Sequence, residues 1–152
     1  MVRPRSVYVH VPFCRKACHY CAFHFSTTRS SQARVLKAMV RELDLRLPDR
    51  GSGNLWPLET LYLGGGTPSL LEPEALTFLV NGISEKFDVS NLQEFTLEAN
   101  PEDVHPMNLE LWKRLGVNRI SLGVQSVDDR FLEGMNRAHD SQQSHAAMRL
   151  LA

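Results

Sequence analysis

The sequence predicts an α/β fold with a parallel sheet, either the first units of a barrel or an open sheet. Three observations predict it. Four short runs with strand character, at 6–11, 60–63, 94–98 and 119–124, alternate with segments whose apolar residues recur at helical spacing. Such an order implies parallel strands joined by right-handed crossovers. Each strand-like run also ends in glycines, cysteines or a polar side chain, where folds of this class collect their functional groups.

The first strand, Ser6–Val11, leads into a cysteine-containing loop and the polar linker Ser26-Thr27-Thr28-Arg29-Ser30. A first helix is expected from Val35, Leu36, Met39, Val40, Leu43 and Leu47, which share one face, with Pro48 stopping it. Asp49–Asn54 reads as a Gly-rich surface loop. The second strand, Thr60–Leu63, runs directly into Gly64-Gly65-Gly66-Thr67-Pro68-Ser69. Helix two begins near Glu72-Pro73, with proline in its tolerated first-turn place, and turns Leu76, Leu79, Val80, Ile83 and Phe87 inward. The third strand, Glu94–Glu98, is followed by Ala99-Asn100-Pro101. A third helix, about 107–115, presents Leu111, Trp112 and Leu115 and stops at Gly116. The fourth strand, Arg119–Val124, gives way to Gln125, a turn with a short helix reaching Arg137, and a last helix from Asp140.

At 152 residues the chain is one domain's worth, long enough to bury a sizeable core. Lys plus Arg and Asp plus Glu are 17 each, so no basic field suggests a nucleic-acid partner. The start, Met1-Val2-Arg3-Pro4-Arg5, has no apolar core of a leader behind it, and no apolar run approaches a membrane span. A cytoplasmic protein with reduced thiols is expected. The last residues, Ser144–Ala152, stay inside a helical pattern without a stop signal, which suggests a truncated chain with no second domain in residues 1–152.

All three cysteines, Cys14, Cys18 and Cys21, fall within eight positions, spaced C-x3-C-x2-C. An odd number of thiols cannot all pair as disulfides, and this spacing lets them grip one metal centre. An iron-sulfur cluster is the natural soft-ligand candidate; with three cysteines on a four-iron cube, one iron keeps an open position for chemistry. The alternatives are a structural Cys3His zinc site completed by His24 and an accidental group of free thiols.

The other strand ends add polar groups. Gly64-Gly65-Gly66 lets a ligand approach the backbone, whose successive N–H and C=O groups could bind an amino acid moiety or a phosphate, unless it is a flexible turn. Glu98 could accept hydrogen bonds from vicinal ribose hydroxyls, and Gln125 and Arg137 could hold a carboxylate. Read singly, each is an ordinary surface residue. His10, His19, His24, His105, His139 and His145 form no metal-binding pair at helical spacing, and only His24 is a ligand candidate. Phe13 and Tyr20, among the cysteines, are suited to exclude water, and Tyr20 to stack on a bound ring. No residue stands out as a catalytic acid or base.

With these motifs in place, the chain resembles radical S-adenosylmethionine (radical SAM) proteins, and within them the oxygen-independent coproporphyrinogen III oxidase family with its haem-chaperone branch. The resemblance rests on Val7-Tyr8-Val9-His10-Val11-Pro12-Phe13-Cys14, Gly64 to Ser69, Leu97-Glu98-Ala99-Asn100-Pro101, Ser121-Leu122-Gly123-Val124-Gln125-Ser126 and Met135-Asn136-Arg137, and it covers nearly the whole chain. It implies the N-terminal four βα units of a partial TIM-type (β/α) barrel. It implies further that Cys14, Cys18 and Cys21 ligate a [4Fe-4S] cluster, and that Tyr8, Tyr20, Gly65, Gly66, Thr67, Glu98, Gln125 and Arg137 hold S-adenosylmethionine. An electron donor for the cluster and haem or a porphyrinogen as ligand are the implied partners. The porphyrinogen-oxidising members carry a further cysteine two places after the third ligand, where this sequence has Phe23. That departure resembles the chaperone branch, which binds haem and passes it to acceptor proteins. Oxidative decarboxylation of coproporphyrinogen III through a 5′-deoxyadenosyl radical is the alternative.

Overall fold

The computed structural model describes residues 5–47 and 54–152. The start of the chain, the expected stop at Pro48 and nearly all of the expected loop 49–54 lie outside them. Four strands, β1 (Ser6–Val11), β3 (Thr60–Gly65), β5 (Glu94–Ala99) and β6 (Arg119–Leu122), form one parallel sheet in the order β1-β3-β5-β6. The helices are α1 (Gln32–Arg46), α2 (Pro73–Ser84), α3 (Pro106–Arg114), α4 (Asp129–Gly134) and α5 (Ser141–Leu151). Neighbouring strands in sequence are neighbours in space, the arrangement of successive βα units.

Alternation along the strands explains both faces. Val9, Leu63, Leu97 and Ile120 stand in register, as do Ala99 and Leu122, and this face joins the core with Leu36 of α1, Leu76, Leu79 and Ile83 of α2 and Leu111 and Trp112 of α3. The intervening residues point the other way. They include Tyr8, His10, Tyr62, Glu98, Arg119 and Ser121, so the opposite face is polar and aromatic. Parallel sheets covered on both sides are usually apolar throughout. This one keeps a polar face beside its functional strand ends.

Two expectations need correction. Phe87 continues the helical spacing of α2, but the helix ends at Ser84. A tightened last turn, Lys86 N–H to the Ile83 carbonyl at 3.0 Å, releases the chain. Phe87 is then buried from the two-residue strand β4 (Phe87–Asp88), paired with β2 (Trp56–Pro57), a small sheet that no sequence pattern announced. The fourth sheet strand stops at Leu122 rather than Val124. Tight bonds from Val124 N–H to the Leu122 carbonyl (3.0 Å) and Ser126 N–H to the Val124 carbonyl (2.7 Å) bend the chain, with Gln125 in the left-handed region at φ 63°.

Leu97, fully buried on the second innermost strand, anchors the sheet to its helices. Leu97→Ala is expected to destabilise the fold by about 2–5 kcal/mol, measured by urea denaturation, because the vacated space can collapse only in part.

Candidate functional site

The cysteine loop is held by the far end of the chain. Helix α4 ends in a Schellman turn, with Arg137 N–H bonded to the Leu132 carbonyl and Asn136 N–H to the Glu133 carbonyl, both at 2.9 Å. Asn136 takes the left-handed position at φ 59°, which asparagine tolerates better than most residues. Carbonyls left over at this helix end are capped by the cysteine loop: His19 N–H donates to Met135 at 3.1 Å, and His19 Nδ1–H to Gly134 at 2.9 Å. In return, Asn136 Nδ2 donates to the Ala17 carbonyl at 2.8 Å.

The same turn aims Arg137 inward. Its Nη1 lies 3.3 Å from Cys18 Sγ and 3.1 Å from the Tyr20 hydroxyl, while Nη2 donates to Asn100 Oδ1 at 2.6 Å and to the Gly123 carbonyl at 2.9 Å. One side chain therefore ties the cysteine loop to the ends of β5 and β6. On the other side of the loop, Thr67 Oγ1 donates to Cys14 Sγ at 3.6 Å. Burial pushes the Cys14 thiol above its ordinary range, and the neighbouring Cys21 and Cys18 add to this; Thr67 and the Arg137 charge oppose it. A bound cation would reverse the balance, since coordination requires the thiolate.

The triple glycine serves the protein's own packing first. A Cβ on Gly66 would lie 2.6 Å from the Phe13 carbonyl oxygen, and one on Gly65, whose φ is 109°, would meet the His10 ring at 2.6 Å. The loop thus presses against the start of the cysteine loop. Its Gly65 N–H donates to Glu98 Oε2 at 3.0 Å, and the Tyr62 hydroxyl donates to Glu98 Oε1 at 2.8 Å. Glu98 is oriented, yet each oxygen keeps a lone pair for a further donor.

These groups surround a cavity of about 280 Å³ lined by Cys14, Cys18, Cys21, Tyr20, Phe23, Gly65, Gly66, Thr67, Glu98, Asn100, Glu102, Gly123, Gln125 and Arg137, among others. Every residue singled out from the sequence as a cysteine ligand or cofactor contact lines it except Tyr8. The Tyr8 ring packs on Tyr62 at 5.7 Å, and its hydroxyl donates to His10 Nδ1 at 3.1 Å in the tautomer set by His10 Nε2, which faces the His24 carbonyl at 2.9 Å. Tyr8 thus reaches the cavity indirectly, through Tyr62 and Glu98 on one side and through His10, whose ring lies against Gly65, on the other. The exposed His24 does not line the cavity. Phe13 is fully buried beneath the loop, whereas Phe23 stands 70% exposed on the cavity wall. Among the described residues no three His, Cys, Asp or Glu side chains gather closely enough to hold a single ion. A four-iron cube asks for a looser set, because each thiolate binds its own iron.

Sequence reasoning missed three residues here. Asn100 bridges Arg137 and Thr67, with Nδ2 donating to Thr67 Oγ1 at 3.3 Å. Glu102, which lines the cavity, pairs with the buried His139 behind it. His139 Nε2 faces the Val124 carbonyl at 3.1 Å, and Nδ1 lies 3.3 Å from Glu102 Oε2 in a poorly aligned contact. Of the five buried side-chain polar atoms without a hydrogen-bond partner among the described residues, four belong to Glu102, Arg137 and His139. Burial opposes the Glu102 charge, but the His139 contact, the backbone and the Arg137 charge together hold its carboxyl below the ordinary range. Only the Asn100-Pro101 turn signal pointed toward any of these.

A parallel βα sheet whose strand ends gather three thiols, a glycine loop and an oriented glutamate around one cavity is the arrangement in which α/β proteins hold a ligand. The chain belongs to the radical SAM superfamily, whose family model matches residues 8–152. It is 38% identical over 137 residues to the haem chaperone HemW of Bacillus subtilis, covering 89% of this chain and 35% of that protein. It is 33% identical to the HemW of Escherichia coli, over 97% of this chain and 39% of that one. The solved structure of coproporphyrinogen III oxidase (HemN) from Escherichia coli, described as a radical SAM enzyme, superposes with a TM-score of 0.83 at 30% identity, over 97% of this chain and 34% of that one. The sequence fits the HemW branch of the HemN family, and the chain spans little more than a third of the relatives it matches. The family implies a [4Fe-4S] cluster and S-adenosylmethionine. No described helix is long and apolar enough to cross a membrane.

The Glu102–His139 pair has a pH signature. A carboxyl held low in the folded state contributes stability above its unfolded value, and that contribution is lost as pH falls through the folded value. Glu102→Gln is expected to destabilise the protein at pH 7, because it removes a carboxylate the folded state favours. The difference from the parent protein should shrink on acidification through the carboxylate range, read from denaturation midpoints at each pH.

Proposed function

We propose that residues 1–152 are the N-terminal part of the cofactor-binding core of a haem chaperone of the radical SAM superfamily, which binds haem and passes it to acceptor proteins. The observation that carries this reading is the convergence of Cys14, Cys18 and Cys21 with Glu98, Gln125 and Arg137 on one cavity whose wall includes the exposed Phe23. The residues fit the group: soft thiols on one loop, two of them facing donors, beside glycine backbone and a carboxylate with free acceptor capacity.

In this reading Cys14, Cys18 and Cys21 hold the [4Fe-4S] cluster. Gly65, Gly66, Thr67, Gln125 and Arg137 bind the amino acid end of S-adenosylmethionine, Glu98 takes its ribose, and Tyr20 packs on the cofactor. Tyr8 acts from behind by holding Tyr62 and Glu98 in place. When bound, the reduced cluster and S-adenosylmethionine supply a 5′-deoxyadenosyl radical. The chain's own share is orientation and water exclusion, with Phe13 sealing the floor of the cysteine loop. An electron donor, haem-acceptor proteins and a cytoplasmic location complete the proposal.

Phe23 favours haem handling over porphyrinogen oxidation, because it stands where the oxidising members carry a cysteine, and the named relatives at 30–38% identity are haem chaperones. The likeness to coproporphyrinogen III oxidase favours the second reading, a porphyrinogen-oxidising enzyme. Two assays on the full-length protein separate them. Added haem is expected to give a protein-bound Soret band, with no decarboxylation of coproporphyrinogen III under anaerobic reducing conditions. Efficient turnover to protoporphyrinogen would transfer the assignment to the oxidase.

Metal content tests the ligand set. Cys18→Ala is expected to lose most of its iron and sulfide after anaerobic reconstitution, while His24→Ala keeps both. A colourless protein with stoichiometric zinc, lost equally in both variants, would return the site to a Cys3His zinc clip.

A further inference from the structure

Asn100 follows β5 directly and opens the short turn Pro101–Asp103; the proline behind it holds Asn100 extended (φ −98°, ψ 152°). Its side-chain orientation is fixed by its neighbours' chemistry. Arginine can only donate, so the amide atom 2.6 Å from Arg137 Nη2 is the oxygen. The NH2 group therefore faces Thr67 Oγ1, 3.3 Å away, and donates to it. With its oxygen so engaged, the Thr67 hydroxyl proton is free to point at Cys14 Sγ, 3.6 Å away.

A polar chain of one direction thus runs from Asn100 through Thr67 to Cys14, while the guanidinium that Asn100 accepts from reaches Cys18 Sγ with its other nitrogen at 3.3 Å. The fold makes room for this junction. A Cβ on Gly123 would lie 2.8 Å from Asn100 Oδ1 and 3.2 Å from Arg137 Nη2, and the Asn100 N–H is itself tied to Ser69 Oγ at 3.3 Å. One amide group sits between the two donors that face two of the three thiols.

We propose that Asn100 is a positioning residue that aligns the Thr67 and Arg137 donors on the sulfurs of Cys14 and Cys18, and thereby raises the reduction potential of the cluster these cysteines hold. The inference rests on the cluster reading above. Its physical basis is that reduction adds negative charge spread over the cluster and its thiolates, and a donor aimed at a ligand sulfur stabilises the reduced form more than the oxidised form. Freeing the two donors removes that preference without removing a ligand.

The test uses the full-length protein, reconstituted anaerobically, with iron and sulfide measured beside an EPR-monitored redox titration. Asn100→Ala is expected to keep the iron and sulfide of the parent protein and to shift the cluster midpoint to more negative potential. Thr67→Val should shift it the same way, and the double variant should shift it by less than the sum, because Asn100 acts partly through Thr67. Gly123→Ala, which crowds Asn100 from the opposite side, should also lower the midpoint, and it decides the matter if Asn100→Ala fails to load iron. A parent-like midpoint in Asn100→Ala, or in Gly123→Ala where that variant decides, at full iron and sulfide content overturns the proposal. Failure of the parent protein itself to assemble a four-iron cluster would instead overturn the reading on which it rests.

Discussion

The Arg137 guanidinium is the interaction on which the rim depends. It touches the cysteine loop, the end of β5 and the end of β6, three segments far apart in sequence. A partly buried cation of this kind is tolerable because several acceptors meet its terminal nitrogens and because it interacts with the Glu102 carboxylate. The Schellman turn of α4 supplies the aim: the left-handed Asn136 reverses the chain so that the next side chain points into the cavity rather than along the helix.

That dependence gives the cysteine loop its unusual support. The loop carries almost no regular structure, yet it is tied to the end of α4 through His19, which caps the helix, and through Asn136, and the glycine loop presses on its start at Gly66. Ligands on such a loop are pre-positioned by neighbours rather than by their own backbone.

Much of this was legible in the sequence, and for definite reasons. The alternation of Val9, Leu63, Leu97 and Ile120 with polar neighbours marks the strands and their register. The Cys14–Cys21 spacing marks the loop, and the rule that strand ends carry function brings the triple glycine, Glu98 and Gln125 to one place. Phe87 misled because a residue continuing a helical spacing can also be buried from the strand that follows the helix. Val124 misled because two tight backbone turns, around Gly123 and then Gln125, break β6 while the apolar alternation Ile120, Leu122, Val124 runs on through them. Asn100, Glu102 and His139 escaped notice because their roles arise from tertiary contacts between segments about forty residues apart. The glycines were found for a different reason from the one that holds them: they clear the way for Phe13 and His10 as much as for a ligand.

The central claim is that this cavity holds an iron-sulfur cluster with one position left for S-adenosylmethionine. The most direct measurement is the EPR spectrum of the reduced, anaerobically reconstituted full-length protein before and after S-adenosylmethionine is added. A spectrum typical of a reduced four-iron cluster whose g-values move on adding the cofactor is the predicted result. A signal unchanged by the cofactor, or a protein that takes up no iron, would contradict the account.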